Sequence, residues 1–225
     1  MSPGTMAMRA LLVGAPLGFA ALLMAHPTGE GSFSAAVAAN TTPWLVVHVG
    51  GAVLFPLMAY VVWLLLRGVE GRAARTARVA LPVFAVFYGV WEALMGIATG
   101  IVAQESNEAT GAARTALADT VDRIASHPIA GEVGVFNSVG SLAWVVGVSA
   151  AIVALRDAGV GRGALVLLGI GAMMVMHVPP FGPVALVCIS LAGLLIERQR
   201  VARQSPAIGV VAAPGARRWG RATSM

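Results

Sequence analysis

Residues 44–66 read WLVVHVGGAVLFPLMAYVVWLLL, an apolar run without Asp, Glu or Arg that ends at Arg67. A helix needs about 20 mostly apolar residues to cross the hydrocarbon layer of a bilayer, which is about 30 Å thick. The whole chain of 225 residues has this character, because 58% of its residues are hydrophobic and only 11% are charged. Soluble domains carry about 25% charged residues, so the composition excludes a soluble enzyme, a disordered chain and a fibrous repeat. The single cysteine, Cys188, excludes a disulfide scaffold, and the predicted class is a membrane protein.

Six apolar segments come near the length of a membrane span. They cover residues 8–25, 44–66, 79–103, 133–155, 163–178 and 181–196. The runs are continuous rather than alternating, which excludes a β-barrel. We therefore predict an all-α fold, a polytopic six-helix transmembrane bundle formed by residues 1–198. The last two spans are short, and a proline-rich turn at residues 179–183 separates them, because proline lacks the amide donor that would continue a helix.

The arginines predict the orientation of the bundle. The chain has no lysine, and only Arg114 and Arg123 lie in the long loop after the third span. The other arginines lie near the N-terminus, in two short loops and after the last span, which all fall on one side of a six-span chain. The positive-inside rule therefore predicts a multi-pass protein of the cell (inner) membrane with both termini in the cytoplasm. The first span has one competing interpretation, a cleaved secretory signal peptide, which would leave the orientation of the other five unchanged.

Two polar regions flank the predicted spans. In the long outer loop, Ala113, Leu117, Val121 and Ile124 recur at helical spacing, which predicts a short amphipathic helix at the outer surface. Residues 199–225 are predicted to be a basic, disordered cytoplasmic tail that is drawn to anionic lipid headgroups. Arginines beside a final span usually set topology, so we expect no nucleic-acid partner. A homo-oligomer and a larger membrane complex both stay open.

Histidine and cysteine are the candidate metal ligands of the chain. His26, His48 and His177 fall on the predicted outer side, and Cys188 lies about two turns into the last span from that side. Imidazole with thiolate suits copper, whereas imidazole alone suits zinc, copper or haem iron. No spacing such as His-x-x-x-His supports a shared site. The alternative is that the histidines cap helix ends and bond to headgroups, and His127, in the polar loop, is expected to be solvated.

Glu92 is the one acidic residue near the middle of a predicted span. A carboxylate at that depth costs several kcal/mol unless it is neutralised or paired. We therefore expect Glu92 to be protonated much of the time or to face a hydrated cavity. The candidate hydrogen-bond partners are Tyr88 or Tyr60, or Asn137 and Ser141, which share one face of the fourth span.

Three functions fit these residues. The first is a membrane protein that binds a metal or haem through the outer histidines. The second is a small proton-coupled permease in which Glu92 titrates, and the third is an accessory or structural subunit without chemistry of its own. The sequence contains no nucleophile motif and no phosphate-binding loop, so it leans away from an enzyme.

Overall fold

The computed structural model describes residues 3–28 and 31–204, and all regular secondary structure in these ranges is helical. The helices are α1 (Met6–Leu23, whose first turn begins at Pro3), α2 (Phe33–Ala39), α3 (Thr41–Leu65), α4 (Arg72–Glu108), α5 (Gly111–Ala125), α6 (Val135–Asp157), α7 (Arg162–Val175) and α8 (Phe181–Gln204). The prediction of an all-α fold is confirmed.

Five helices are long and apolar enough to cross a membrane, namely α1, α3, α4, α6 and α8. This set is compatible with a helical membrane bundle. The predicted span at residues 163–178 forms α7, which is shorter than the others and ends in a 3₁₀ turn at Ala172–Val175. It ends early because the proline-rich turn at residues 179–183 follows it.

Two helices are longer than hydropathy predicts. Helix α4 extends the predicted span 79–103 at both ends, because arginine and glutamate propagate a helix nearly as well as alanine once it has formed. It also contains a π-helical segment at Glu92–Ala98, a feature that occurs frequently at functional sites. Helix α8 continues to Gln204, so the first residues of the predicted tail are helical, and residues 205–225 lie outside the described residues.

Partly buried ion pairs hold one end of the bundle together. Glu197 of α8 accepts hydrogen bonds from Arg67, at 2.6 Å, and from Arg200, at 2.9 Å. Arg200 also donates to the carbonyl of Leu65, and Arg203 donates to the carbonyl of Ala158 at 3.0 Å. The loops after α3 and α6 are thus fixed to α8 at this end, which we call the arginine end.

Helices α4 and α6 pack closely along their length because small residues of α6 face α4. A Cβ atom added at Gly140 would lie 3.0 Å from the backbone nitrogen of Tyr88, and one at Gly147 would lie 3.1 Å from Leu81. Glycine at these two positions therefore sets the separation of the helices. The close packing fixes Tyr88, which is fully buried, in the centre of the bundle.

The predicted helix in the long loop is confirmed as α5. Together with α2 and the last turns of α4 it forms a small cap on the bundle, with its own apolar core of Val37, Trp44, Ala103 and Val121. Asp122 of α5 fixes α2, since it accepts hydrogen bonds from the backbone and the hydroxyl of Ser34, both at 2.8 Å. The cap covers the end of the bundle opposite the arginine end.

Candidate metal centre

Three histidines from separate parts of the chain meet beneath this cap. His26 lies just after α1, His48 lies about two turns into α3, and His177 lies in the link between α7 and α8. One ring nitrogen of each lies within 4.8 Å of those of the other two. The three residues are only 8%, 3% and 9% exposed, respectively, so they do not extend to a surface of the protein. We call this group the histidine cluster.

Each imidazole is oriented by a hydrogen bond at Nδ1. In His48 the Nδ1–H donates to the carbonyl of Trp44 at 2.8 Å, and in His26 it donates to the carbonyl of Pro27 at 2.9 Å. The Nδ1 of His177 lies 3.2 Å from the hydroxyl of Tyr88. That hydroxyl donates to the carbonyl of Val175, also at 3.2 Å, so its oxygen accepts the Nδ1–H of His177.

The same tautomer therefore follows for all three rings. With the proton on Nδ1, each Nε2 carries a lone pair and is free to bind a cation. The Nε2 of His26 is buried and has no hydrogen-bond partner among the described residues. A ligating histidine almost always donates its second ring N–H to a carbonyl, a carboxylate or water, and this cluster has that arrangement.

A cavity of about 320 Å³ lies beside the cluster. Its wall is mostly apolar and aromatic, and it is formed by His26, Pro27, Thr28, Phe33, Ala36, Trp44, His48, Trp91, Met95, Glu132, His177 and Val178. The ring of Trp44 stacks on His48 with 4.1 Å between ring centroids, and the ring of Trp91 lies 5.6 Å from His177. Among the described residues of this wall, Glu132 is the only acidic one.

The π-helical segment of α4 provides the space for His48. A Cβ atom at Gly96 would lie 2.2 Å from Cδ2 of His48, so only glycine permits the observed ring position. The carbonyl of Gly96 also accepts a hydrogen bond from the indole N–H of Trp44 at 2.7 Å. These two contacts hold the first turns of α3 against α4.

The electrostatic surroundings keep the cluster neutral near pH 7. Burial lowers the pKa of His26, and the hydrogen bond to Pro27 partly opposes this effect. Burial also lowers the pKa of His177 to about 3, and the neighbouring His26 and His48 act in the same direction. Because metals bind the neutral imidazole, the cluster is ready to accept a cation without first losing protons.

Cys188 does not join the histidine cluster. Helix α8 carries it to a different face, where it lies in an apolar pocket with Leu17 and Met24 of α1. Cys188 lies about two turns into α8, whereas His177, the ligand from this part of the chain, precedes that helix. The two side chains are therefore separated along the helix axis. His127 is also apart from the cluster, and its Nδ1 accepts the backbone N–H of Ile129 at 3.2 Å.

Glu92 is buried as the sequence indicates, but its expected partners bond elsewhere. It is 1% exposed, and its Oε1 has no hydrogen-bond partner among the described residues. Tyr88 bonds to the histidine cluster, and Tyr60 is half exposed. Ser141 donates to Asn137 at 2.8 Å, and Asn137 donates to the carbonyl of Glu132. The two polar residues of α6 thus stabilise the start of their own helix.

Sequence reasoning missed the residues that surround the cluster. Tryptophan at the start of an apolar span typically indicates an interfacial anchor, whereas Trp44 stacks on His48 and donates to the carbonyl of Gly96. Its spacing of four residues from His48 places both on one helical face, which is a usable signal. Trp91, Met95 and Glu132 are brought to the cavity by tertiary packing, and no local pattern indicates it.

Comparison with known proteins adds no functional assignment. No family model matches the chain, and no curated protein or solved structure is significantly similar to it. The chemistry of the site is therefore the basis for a functional proposal.

Proposed function

We propose that this chain is a multi-pass membrane protein that binds one divalent transition-metal ion through the Nε2 atoms of His26, His48 and His177. The observation that carries the proposal is the convergence of three histidine nitrogens within 4.8 Å, in rings whose Nδ1 atoms are already bonded. Zinc–nitrogen bonds of about 2.0–2.1 Å in a tetrahedral site place the ligand nitrogens about 3.3 Å apart. Small rotations of the side chains therefore suffice to bring the three atoms onto one ion.

The ligand set favours zinc or copper(II) over the other candidates. Three neutral nitrogens without a thiolate suit these two borderline ions, and copper(II) stands highest in the affinity series of the divalent metals. Three protein ligands leave a fourth position for water or another ligand. A haem between two of the histidines is disfavoured, because the third nitrogen lies so close to both that it would occupy the plane of the macrocycle.

The fold supports a chain that crosses the bilayer six times. The two ends of α7 lie at opposite ends of the bundle, since the N–H of Gly161 donates to Gln199 of α8 while His177 lies in the cluster. At 14 residues α7 spans about 21 Å, so it would cross where the bilayer is thinned or where neighbouring helices cover it. The arginine end would then face the cytoplasm and its anionic headgroups, and the histidine cluster would open to the outer side.

Metal binding to the purified full-length chain tests the proposal. The detergent-solubilised protein would be stripped with a chelator, dialysed against Zn²⁺ or Cu²⁺ and analysed for bound metal. We expect one ion per chain, with loss of binding in His26→Ala, His48→Ala and His177→Ala. The matched control is His127→Ala, which removes the remaining histidine of the chain and is expected to bind as the wild type does.

Spectroscopy distinguishes the candidate ions and the geometry. The Cu²⁺ form is expected to show electron paramagnetic resonance coupling to three nitrogens, and the Co²⁺ form to show the visible bands of a four-coordinate ion. A wild-type chain that binds neither ion, or one that binds equally well after loss of His48 or His177, would contradict the proposal. In that case the accessory-subunit hypothesis would be the stronger one.

A further inference from the structure

Glu92 lies on the same helix interface that holds the histidine cluster, and its Oε1 has no hydrogen-bond partner in the part of the chain that the structure describes. Its carboxyl group is buried between α3 and α4, where Oε2 would lie 3.1 Å from a Cβ atom at Gly51. The ring of His48, on α3, likewise packs against a glycine of the facing helix, Gly96 of α4. Gly51 follows His48 by three residues, and Gly96 follows Glu92 by four. The carboxyl group is therefore about one helical turn, roughly 5–6 Å along the axis, deeper in the bundle than the ligand.

A divalent cation in the histidine cluster changes which protonation state of the Glu92 carboxyl group is favoured. The three ligands are neutral, so the ion would bring two positive charges into the low-dielectric interior without a compensating anion among its ligands. A buried carboxyl group without a partner is neutral, because ionisation there is costly. A nearby positive charge favours the ionised form instead. The two sites are thus coupled through their charges, although they share no hydrogen bond.

We propose that Glu92 is the proton site of the metal centre: it holds one proton while the centre is empty and releases it when a divalent cation binds. The inference rests on the proposed function, because it requires the cation. In the exchange, the carboxylic acid O–H bond breaks, the proton passes to solvent and the carboxylate remains. Binding then adds one net positive charge to the interior rather than two. This exchange is the elementary step of proton-coupled metal uptake or release.

The other titratable groups around Glu92 are poorer sources of the displaced proton. On its own helix Tyr88 is one turn away, and its hydroxyl donates to the carbonyl of Val175. The histidines of the cluster are neutral near pH 7, so they contribute few protons when metal binds. Glu132 lies in the cavity wall, but it is exposed to solvent rather than buried as Glu92 is. Glu92 is the remaining buried acid from which a proton can be displaced among the residues that the structure describes.

The proton count per metal ion tests this inference. Zn²⁺ would be titrated calorimetrically into the full-length protein near pH 7, in buffers of different ionisation enthalpy. We expect the wild type to release about one proton more per ion than Glu92→Gln does. The comparison subtracts any proton lost from a metal-bound water, which both proteins share. Glu132→Gln is the matched control, and it is expected to release as many protons as the wild type.

Infrared difference spectroscopy supplies a second readout that does not depend on binding heats. The carbonyl band of a protonated carboxylic acid should disappear when Zn²⁺ is added to the wild type, and Glu92→Gln should lack this change. Glutamine has nearly the shape of the protonated acid, and an unchanged circular dichroism spectrum would show that the variant folds.

The outcomes separate this inference from the proposed function. Equal proton release by the wild type and Glu92→Gln, with metal still bound, overturns the role of Glu92 and leaves the metal site intact. Loss of the extra proton in Glu132→Gln instead overturns it in favour of the cavity residue. Absence of metal binding to the wild type overturns both proposals.

Discussion

Replacing Tyr88 with phenylalanine tests the reasoning about the histidine cluster most directly, because it removes a single oxygen atom. The hydroxyl accepts the Nδ1–H of His177 and donates to the carbonyl of Val175. The phenylalanine ring would keep the packing of Tyr88 against Phe55, whose ring centroid lies 4.6 Å away, and against Trp91, at 5.0 Å. The variant therefore changes the orientation of a proposed ligand and leaves the aromatic core in place.

Two effects are expected, one on the affinity for the metal ion and one on the stability of the metal-free protein. Loss of a partner that orients a ligating histidine typically weakens metal binding 10- to 100-fold, or about 1.4–2.8 kcal/mol. In the metal-free protein, the carbonyl of Val175 would lose the hydrogen bond from Tyr88. The ring of His177 also interacts with this carbonyl, so the loss is that of one hydrogen bond, and the free energy of unfolding should fall by about 0.5–1.5 kcal/mol.

The two effects are measured separately. Competition with a chromophoric chelator gives the Zn²⁺ dissociation constant of the detergent-solubilised protein, and denaturant unfolding of the metal-free protein gives its stability. The chain offers a matched control in Tyr60→Phe, since Tyr60 is the only other tyrosine and is 50% exposed on α3. We expect the control to change neither quantity beyond experimental error.

Two results would refute the reasoning. A Tyr88→Phe variant that binds Zn²⁺ within twofold of the wild type would mean that His177 does not depend on this hydroxyl for its orientation. An equal loss of affinity in Tyr60→Phe would mean that the effect arises from general changes in the bundle.

Three further predictions concern packing, ion pairing and pH. Gly96→Ala should weaken Zn²⁺ binding at least tenfold, because its Cβ atom would displace the ring of His48. The control is Gly89→Ala, which has open space around its Cβ position and should bind Zn²⁺ normally in the same competition assay. Glu197→Gln should lower the free energy of unfolding by about 0.2–1 kcal/mol per ion pair, because the amide keeps an acceptor oxygen for Arg67 and Arg200 but loses the charge that pairs with them. Zn²⁺ affinity should stay unchanged because Glu197 lies at the arginine end, and a large change would contradict the separation of the two ends. The metal-free protein should lose stability as pH falls from about 6.5 toward 3, by up to about 1.4 kcal/mol per pH unit, because burial lowers the pKa of His177 to about 3 and the unfolded state therefore binds this proton more tightly. Equal thermal midpoints at pH 7 and pH 5 would contradict this sign.

The fold was largely predictable because hydropathy reports directly on it. An uninterrupted apolar run such as residues 44–66 has few stable structures other than a helix in an apolar environment, and α3 covers Thr41–Leu65. The ends of α4 were missed because Arg72 and Glu108 are polar, and hydropathy cannot separate the end of an apolar layer from the end of a helix. Helix α7 ends early because of the turn at residues 179–183, and the hydropathy of the segment does not report where this turn begins.

The site was predictable only in its candidate residues. Topology places His26, His48 and His177 at one end of the bundle, but the register of three segments decides whether their rings meet. That register depends on particular contacts, such as Gly96 against His48, which no spacing along the chain encodes. Cys188 is predicted to be reached from the same side of the membrane and yet faces α1, so the side of the membrane alone does not define a site.

The alternative interpretation of the histidines, as caps that bond to headgroups, does not account for their environment. A cap at the interface would leave the ring partly exposed, whereas the three residues are at most 9% exposed. Their Nδ1 atoms already bond to nearby carbonyl and hydroxyl groups, so helix capping gives no reason for one ring nitrogen of each histidine to lie within 4.8 Å of the other two. The buried Nε2 of His26 without a hydrogen bond costs about 1–3 kcal/mol, and apolar side chains would fill the same space without that cost. A metal ion at the centre of the cluster would accept the lone pair of His26 Nε2 and remove this penalty, and three converging imidazoles suit such an ion.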